Sequence, residues 1–219
     1  VPMTTQVANH LTRFGNFTAA DLVLVYGGNN DVVFQHGAGL QIAALVGADL
    51  TAGRITQAQA DASIAAAQAG AMAEMKTAAR ALGSLVKTSI LGRGATYVAV
   101  MNLPDSGATP YGGSLGATNK ALLTQMSAEF NTWLTDSLSG APVRILDARG
   151  AATAVLANPA GFGFVNTTVP ACDATIISAL TGGRITAGSS LFCNKTVGAP
   201  LYGLRTGADA TTWLFADAV

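Results

Sequence analysis

Residues 21–31 read DLVLVYGGNND. The apolar run that follows Asp21 and ends at Tyr26 has no polar alternation, the pattern of a strand buried on both faces of a parallel sheet. It stops at Gly27 and Gly28, which are followed by Asn29, Asn30 and Asp31. Open α/β sheets gather ligands at the carboxyl ends of their strands. Glycines at such an end let the backbone turn sharply and approach a substrate. An asparagine amide there is suited to donate to an oxyanion developing in a transition state. The same residue types are also the commonest in an ordinary strand-to-helix turn, so the turn by itself leaves both readings open.

Working outward, Val7, Leu11 and Phe14 recur at helical spacing and predict a short amphipathic helix over 4–14. Residues 27–54 are mixed and Gly-rich, with helix expected around Leu40–Val46. Thr56 and Gln59 form a capping-box signal. It opens a long Ala-rich helix reaching about Ile90, with Met72, Met75, Ala79, Leu82 and Leu85 as its apolar stripe. Gly70 and Gly83 are candidate bends in it. A second strand is expected at Thr96–Asn102, a helix with Leu122, Met126, Phe130 and Leu134 inward near Thr118–Leu138, and a third strand at Val143–Asp147. From about Gly150 the pattern breaks into short apolar pieces. Strands alternating with helices imply an α/β fold, a three-layer α/β/α arrangement around a parallel sheet. No internal repeat or linker divides the chain, so 1–219 is expected to be a single domain.

Composition narrows the function. Charged residues make up only 11% and the formal net charge is zero. No basic stripe exists to neutralise phosphates, which argues against a nucleic-acid partner. No apolar run reaches the ~18 residues that a transmembrane helix needs, and no signal-peptide pattern opens the chain. With two cysteines, two histidines and no C-x-x-C, a metal site is not expected. Cys172 and Cys193 are compatible with a disulfide, a redox pair or two inert thiols. Sparse lysine, abundant Ala, Gly and Thr, and a closable cysteine pair favour an oxidising, extracytoplasmic setting. A Cys172–Cys193 disulfide is therefore expected, around a loop with no strong periodicity of its own.

Several of these stretches, in order, resemble the SGNH (GDSL) esterase/lipase family, in particular its bacterial autotransporter-associated branch. Gly28-Asn29-Asn30-Asp31 matches that family's G-x-N-D block. Asp217-Ala218-Val219 matches the first three letters of its D-x-x-H block. Asn102-Leu103-Pro104-Asp105 resembles its N-L-P-D turn, and Gly163-Phe164-Val165-Asn166, followed by Cys172, resembles its approach to the final block. Thr5-Gln6-Val7 resembles the segment after the family's glycine block. The resemblance implies a flavodoxin-like five-stranded sheet whose first two strands, with the nucleophilic serine and the oxyanion glycine, precede Val1. It places the catalytic histidine just past Val219. It further implies that Asn30 is an oxyanion donor, Gly28 and Asp31 shape its turn, and Asp217 is the triad acid. The activity would be hydrolysis of a carboxylic ester or lipid by a secreted or surface-displayed enzyme, with no cofactor. An outer-membrane barrel beyond this chain is compatible with that branch. The chain alone is expected to be inactive.

Phe162, Phe164, Leu191, Phe192 and Tyr202 lie in the irregular stretch before Asp217. They are either an acyl pocket or local packing. Gly112-Gly113-Ser114-Leu115-Gly116 matches the G-x-S-x-G nucleophile elbow. That elbow must join a strand directly to a helix. Here the preceding strand ends about ten residues earlier, so the match is read as chance. Neither His10 nor His36 holds the family's histidine position, and His36 reads as a loop residue. The alternative function is a non-catalytic secreted passenger or interaction module on an esterase scaffold, which would need neither nucleophile nor histidine.

Overall fold

The computed structural model describes residues 1–218. Val219, the third letter of the C-terminal pattern, lies outside the described residues. The chain forms two compact units. One comprises Val1–Pro104 and Leu122–Arg149, the other Asp105–Ala121 and Gly150–Val219.

The first unit holds a three-stranded parallel sheet in the order β1 (Leu22–Tyr26), β2 (Tyr97–Met101), β3 (Arg144–Leu146). Leu22 pairs with Tyr97 and Tyr26 with Met101, and Ala99 pairs with Arg144. Parallel neighbours need long crossovers. Helices α2 (Asn29–Thr51) and α3 (Gln57–Leu85) lie in the first, and α5 (Ala117–Ser137) in the second. Helix α1 (Met3–Phe14) precedes the sheet. The α/β class and the parallel sheet expected from the alternation are both present.

Helix α3 starts on the expected capping box. Gln59 N donates to Thr56 Oγ1 at 3.3 Å, and Thr56 N donates to Gln59 Oε1 at 2.8 Å. The helix runs unbroken through Gly70 and Gly83. Gly83 serves a close approach instead, since a side chain there would overlap that of Ser137 on α5. Met75, Ala79 and Leu82 are buried as the stripe predicts. A π-helical turn, Val86–Ile90, continues the helix toward β2. On α5 it is Leu123, with Met126, Phe130 and Leu134, that is fully buried, and Leu122 is half-buried.

Four expectations are corrected in this unit. Residues 29–51 form one continuous helix where only a short one around 40–46 was expected. Gly37, Gly39 and Gly47 lower helix propensity by about 1 kcal/mol each relative to alanine, but α2 packs along α3, and tertiary packing outweighs propensity. His36 consequently sits inside α2, with 1% exposure, and is not a loop residue. Phe14 lies 67% exposed and does not join Val7 in the core. Phe17 is buried in its place and stacks on His10 with ring centroids 4.3 Å apart.

The fourth correction is that β1 is not buried on both faces. Val25, Val98 and Val100 share the covered face. On the other face Leu22 and Leu24 are 67% and 68% exposed, and Tyr97, paired with Leu22, is 60% exposed. Helices therefore cover only one face of the sheet at β1. Its free edge also lacks a neighbouring strand among the described residues.

The second unit contains α4 (Pro110–Ser114), most of α6 (Ala148–Ala157) and α7 (Ala174–Leu180). Helices α6 and α7 stand where only short apolar pieces were expected. Both are short, and α7 depends on a cap: Asp173 Oδ1 accepts from Thr175 N at 2.8 Å and Ile176 N at 3.1 Å. Arg205 Nη1 reaches Asp173 Oδ2 at 3.0 Å. Cys172 and Cys193 form the expected disulfide. It is part of a small core of Ala171, Cys172, Ile177 and Leu204, against which Tyr202 and Trp213 pack.

Candidate functional site

The G-x-N-D residues occupy the junction between the carboxyl end of β1 and the first turn of α2. Gly28 is the N-cap of α2, with φ of 111° in the left-handed region that favours glycine. A Cβ there would also overlap the ring of Phe130. Gly28 is thus required twice, by its dihedral and by the aromatic ring behind it. Its carbonyl accepts from Val32 N at 3.2 Å and starts the helix.

Asn30 is exposed in the first turn of α2. Being next to a strand end and free of the core, its amide is accessible to a ligand. Asp31 is exposed in the same turn, where the positive end of the helix dipole suits a carboxylate. It lines an apolar cavity of about 250 Å³ together with Gly27, Gly28, Met3, Leu82 and Phe130.

Asn102 and Leu103 of the N-L-P-D stretch are held by side chains of the first unit. Asn131 brackets Leu103 on both backbone groups, accepting from its N–H at 2.7 Å and donating to its carbonyl at 2.8 Å. Asn102 donates to Asp147 Oδ1 at 2.9 Å and accepts from Arg149 N at 3.0 Å. Leu103 is fully buried as a result.

In the second unit Asp217 is half-buried, and its Oδ2 accepts from Ser190 N at 3.0 Å. Its flanks are pinned. Cys172 N donates to Ala216 O at 2.9 Å, and Tyr111 N donates to Ala218 O at 2.7 Å. Asp217 thus lies in a hydrogen-bonded stretch, with one carboxylate oxygen engaged.

The aromatic residues before Asp217 do not form one cluster. Phe162 is 55% exposed at the end of a 3₁₀ turn, and Phe164 is half-buried. Tyr202 packs on the disulfide core. Phe192 and Leu191 line an open recess with Asn194, Lys195 and Leu201. Ser114 ends α4 rather than joining a strand to a helix, and its Oγ donates to Tyr111 O at 2.7 Å. That is not the geometry of a nucleophile elbow. Among the described residues no cluster of three or more His, Cys, Asp or Glu could hold a metal ion, and no helix is long and apolar enough to cross a membrane.

No protein-family model matches the chain, and no curated protein matches it significantly.

Proposed function

We propose that this chain belongs to a carboxylic-ester hydrolase of the SGNH type, working by acyl transfer through a serine nucleophile outside residues 1–219. The observation that carries the reading is the placement of Gly28-Asn29-Asn30-Asp31 at the carboxyl end of a parallel strand, with Asn30 exposed in the first turn of the following helix. Asn30 has the right chemistry for an oxyanion donor: a neutral amide on a rigid element, which needs no reorganisation as charge develops. Asp217, with one oxygen held by Ser190 N, has the right chemistry for the acid that orients a histidine. In the reaction the serine attacks the ester carbonyl. The histidine takes the serine proton and later delivers it to the leaving alcohol. Asp217 stabilises the imidazolium, and Asn30 donates to the tetrahedral oxyanion. Water then releases the acid. None of these steps calls for a metal or organic cofactor.

The substrate class in this reading is a carboxylic ester or lipid. The setting is extracytoplasmic, secreted or on a bacterial surface, which the Cys172–Cys193 disulfide supports. Hydrolysis of an aryl ester by residues 1–219 and by a longer product of the same gene tests the reading. The longer protein should turn over the ester and residues 1–219 should not. A longer protein that holds ester analogues without hydrolysing them would favour a non-catalytic module on the same scaffold.

A further inference from the structure

The second unit contains a recess of about 540 Å³ whose walls are Pro110, Tyr111 and Ser114 on one side and Thr168, Val169 and Pro170 on the other, with Ala218 between them. Each wall is built rather than loose. On the first, Asp105 Oδ1 accepts from Gly107 N at 2.8 Å and Thr109 Oγ1 accepts from Gly112 N at 3.2 Å. Gly112 lies so close to the backbone of Gly107 that no side chain fits between them. On the second, Asn166 Oδ1 accepts from Thr168 N at 3.0 Å and Val169 N at 2.9 Å. The floor is tied to the first wall by the hydrogen bond from Tyr111 N to Ala218 O at 2.7 Å.

The lining is mostly apolar. Among the described residues that line it none carries a charge, and Ser114 Oγ is already engaged with Tyr111 O. Apolar walls with few polar groups are the lining typical of small-molecule sites, here in a recess that stays broadly open to solvent. A charged ligand would lose hydration here and find no counter-charge, whereas a hydrocarbon chain gains by leaving water. Ala218 follows Asp217 directly, so a group seated here lies beside the segment that carries the candidate triad acid.

We propose that this recess binds the uncharged hydrocarbon chain of an ester, making Tyr111, Val169 and Pro170 specificity-determining residues. That the chain belongs to an ester rests on the hydrolase reading. That the recess takes an uncharged alkyl group does not. The test uses residues 1–219 with 2-heptanone, an uncharged ketone with the shape of hexanoate and no scissile bond, and follows backbone amide resonances. Signals of Tyr111, Ser114, Thr168 and Val169 should shift saturably, and hexanoate at equal concentration should leave them in place. Thr168→Trp, made at an exposed position, should weaken the ketone at least tenfold while the rest of the spectrum stays native. Equal shifts with hexanoate, shifts centred elsewhere, or full affinity in Thr168→Trp would overturn the assignment. If the ketone binds as described and the longer protein hydrolyses no ester, the recess stands and the hydrolase reading falls. If the longer protein hydrolyses esters and Thr168→Trp leaves its preference for acyl length unchanged, the hydrolase reading stands and the recess falls.

Discussion

The ring of Phe130 occupies the space that a side chain at Gly28 would need. One contact thus links the first residue of the G-x-N-D block to the buried face of α5. It sets where α2 begins, and so where Asn30 stands.

Gly28→Ala should be costly, because it adds a methyl group against the ring and strains a left-handed residue. We expect a loss of about 2–4 kcal/mol in denaturant unfolding, within the range of severe single substitutions. In a Phe130→Ala background the same change should cost at least 1 kcal/mol less, the remainder being the dihedral penalty. Equal costs in both backgrounds would show that the ring does not set the turn.

Reducing the Cys172–Cys193 bond, or Cys172→Ser with Cys193→Ser, should destabilise the second unit by about 3 kcal/mol, given a loop of about twenty residues. The chain has two tryptophans. Trp213 packs on the disulfide core, while Trp133 lies under Lys76 and Arg80 of α3. Reduction should change the fluorescence of a Trp133→Phe variant and leave that of Trp213→Phe nearly unchanged. The opposite pattern would contradict the assignment of the disulfide core.

The carboxyl group of Asp173 is held below its ordinary value. The leading cause is the backbone hydrogen bond from Ile176, with further contributions from Thr175 and Arg205. A depressed carboxylate stabilises the fold above its unfolded value, near 3.8, and loses that contribution as pH falls through the lower folded value. Asp21 and Asp209 are depressed as well and share this window. Between pH 5 and pH 2 wild type should therefore lose more stability than Asp173→Asn, measured by urea midpoints. Parallel losses would remove Asp173 from the acid response. Asp173→Ala at neutral pH should cost about 1 kcal/mol, the usual value of a helix N-cap.

The exposed row at β1 predicts self-association. An unpaired strand edge beside Leu22, Leu24 and Tyr97 is a template for another chain. Sedimentation of residues 1–219 should show species larger than the monomer, and Leu24→Lys should shift the population toward monomer. A wild-type chain that stays monomeric at high concentration would show that the row is tolerated in water.

How much of this was legible in sequence differs from element to element. The parallel sheet was, because Val23, Val25, Val98 and Val100 sit in apolar runs separated by helical periods. So was the start of α3, since Thr56 and Gln59 satisfy each other within one turn. The extent of α2 was not. Its glycines argue locally against helix, and the packing along α3 that overrides them is a tertiary fact. The exposure of Leu22 and Leu24 was hidden because an apolar residue looks the same whether its face is covered or bare. The position of Gly28-Asn29-Asn30-Asp31 at the end of β1 was legible from the apolar run before it, but the recess beside Ala218 was not. Its walls come from residues 110–114 and 168–170, which only the folded backbone brings together.

The most direct test of the central claim is the turnover of an aryl ester by the longer protein, wild type against Asn30→Ala. An oxyanion donor acts in the transition state and little in the ground state. Asn30→Ala should lower kcat by roughly 10²–10³-fold with KM nearly unchanged. An Asn30→Ala protein that keeps the wild-type kcat, or residues 1–219 alone hydrolysing the ester at full rate, would contradict it.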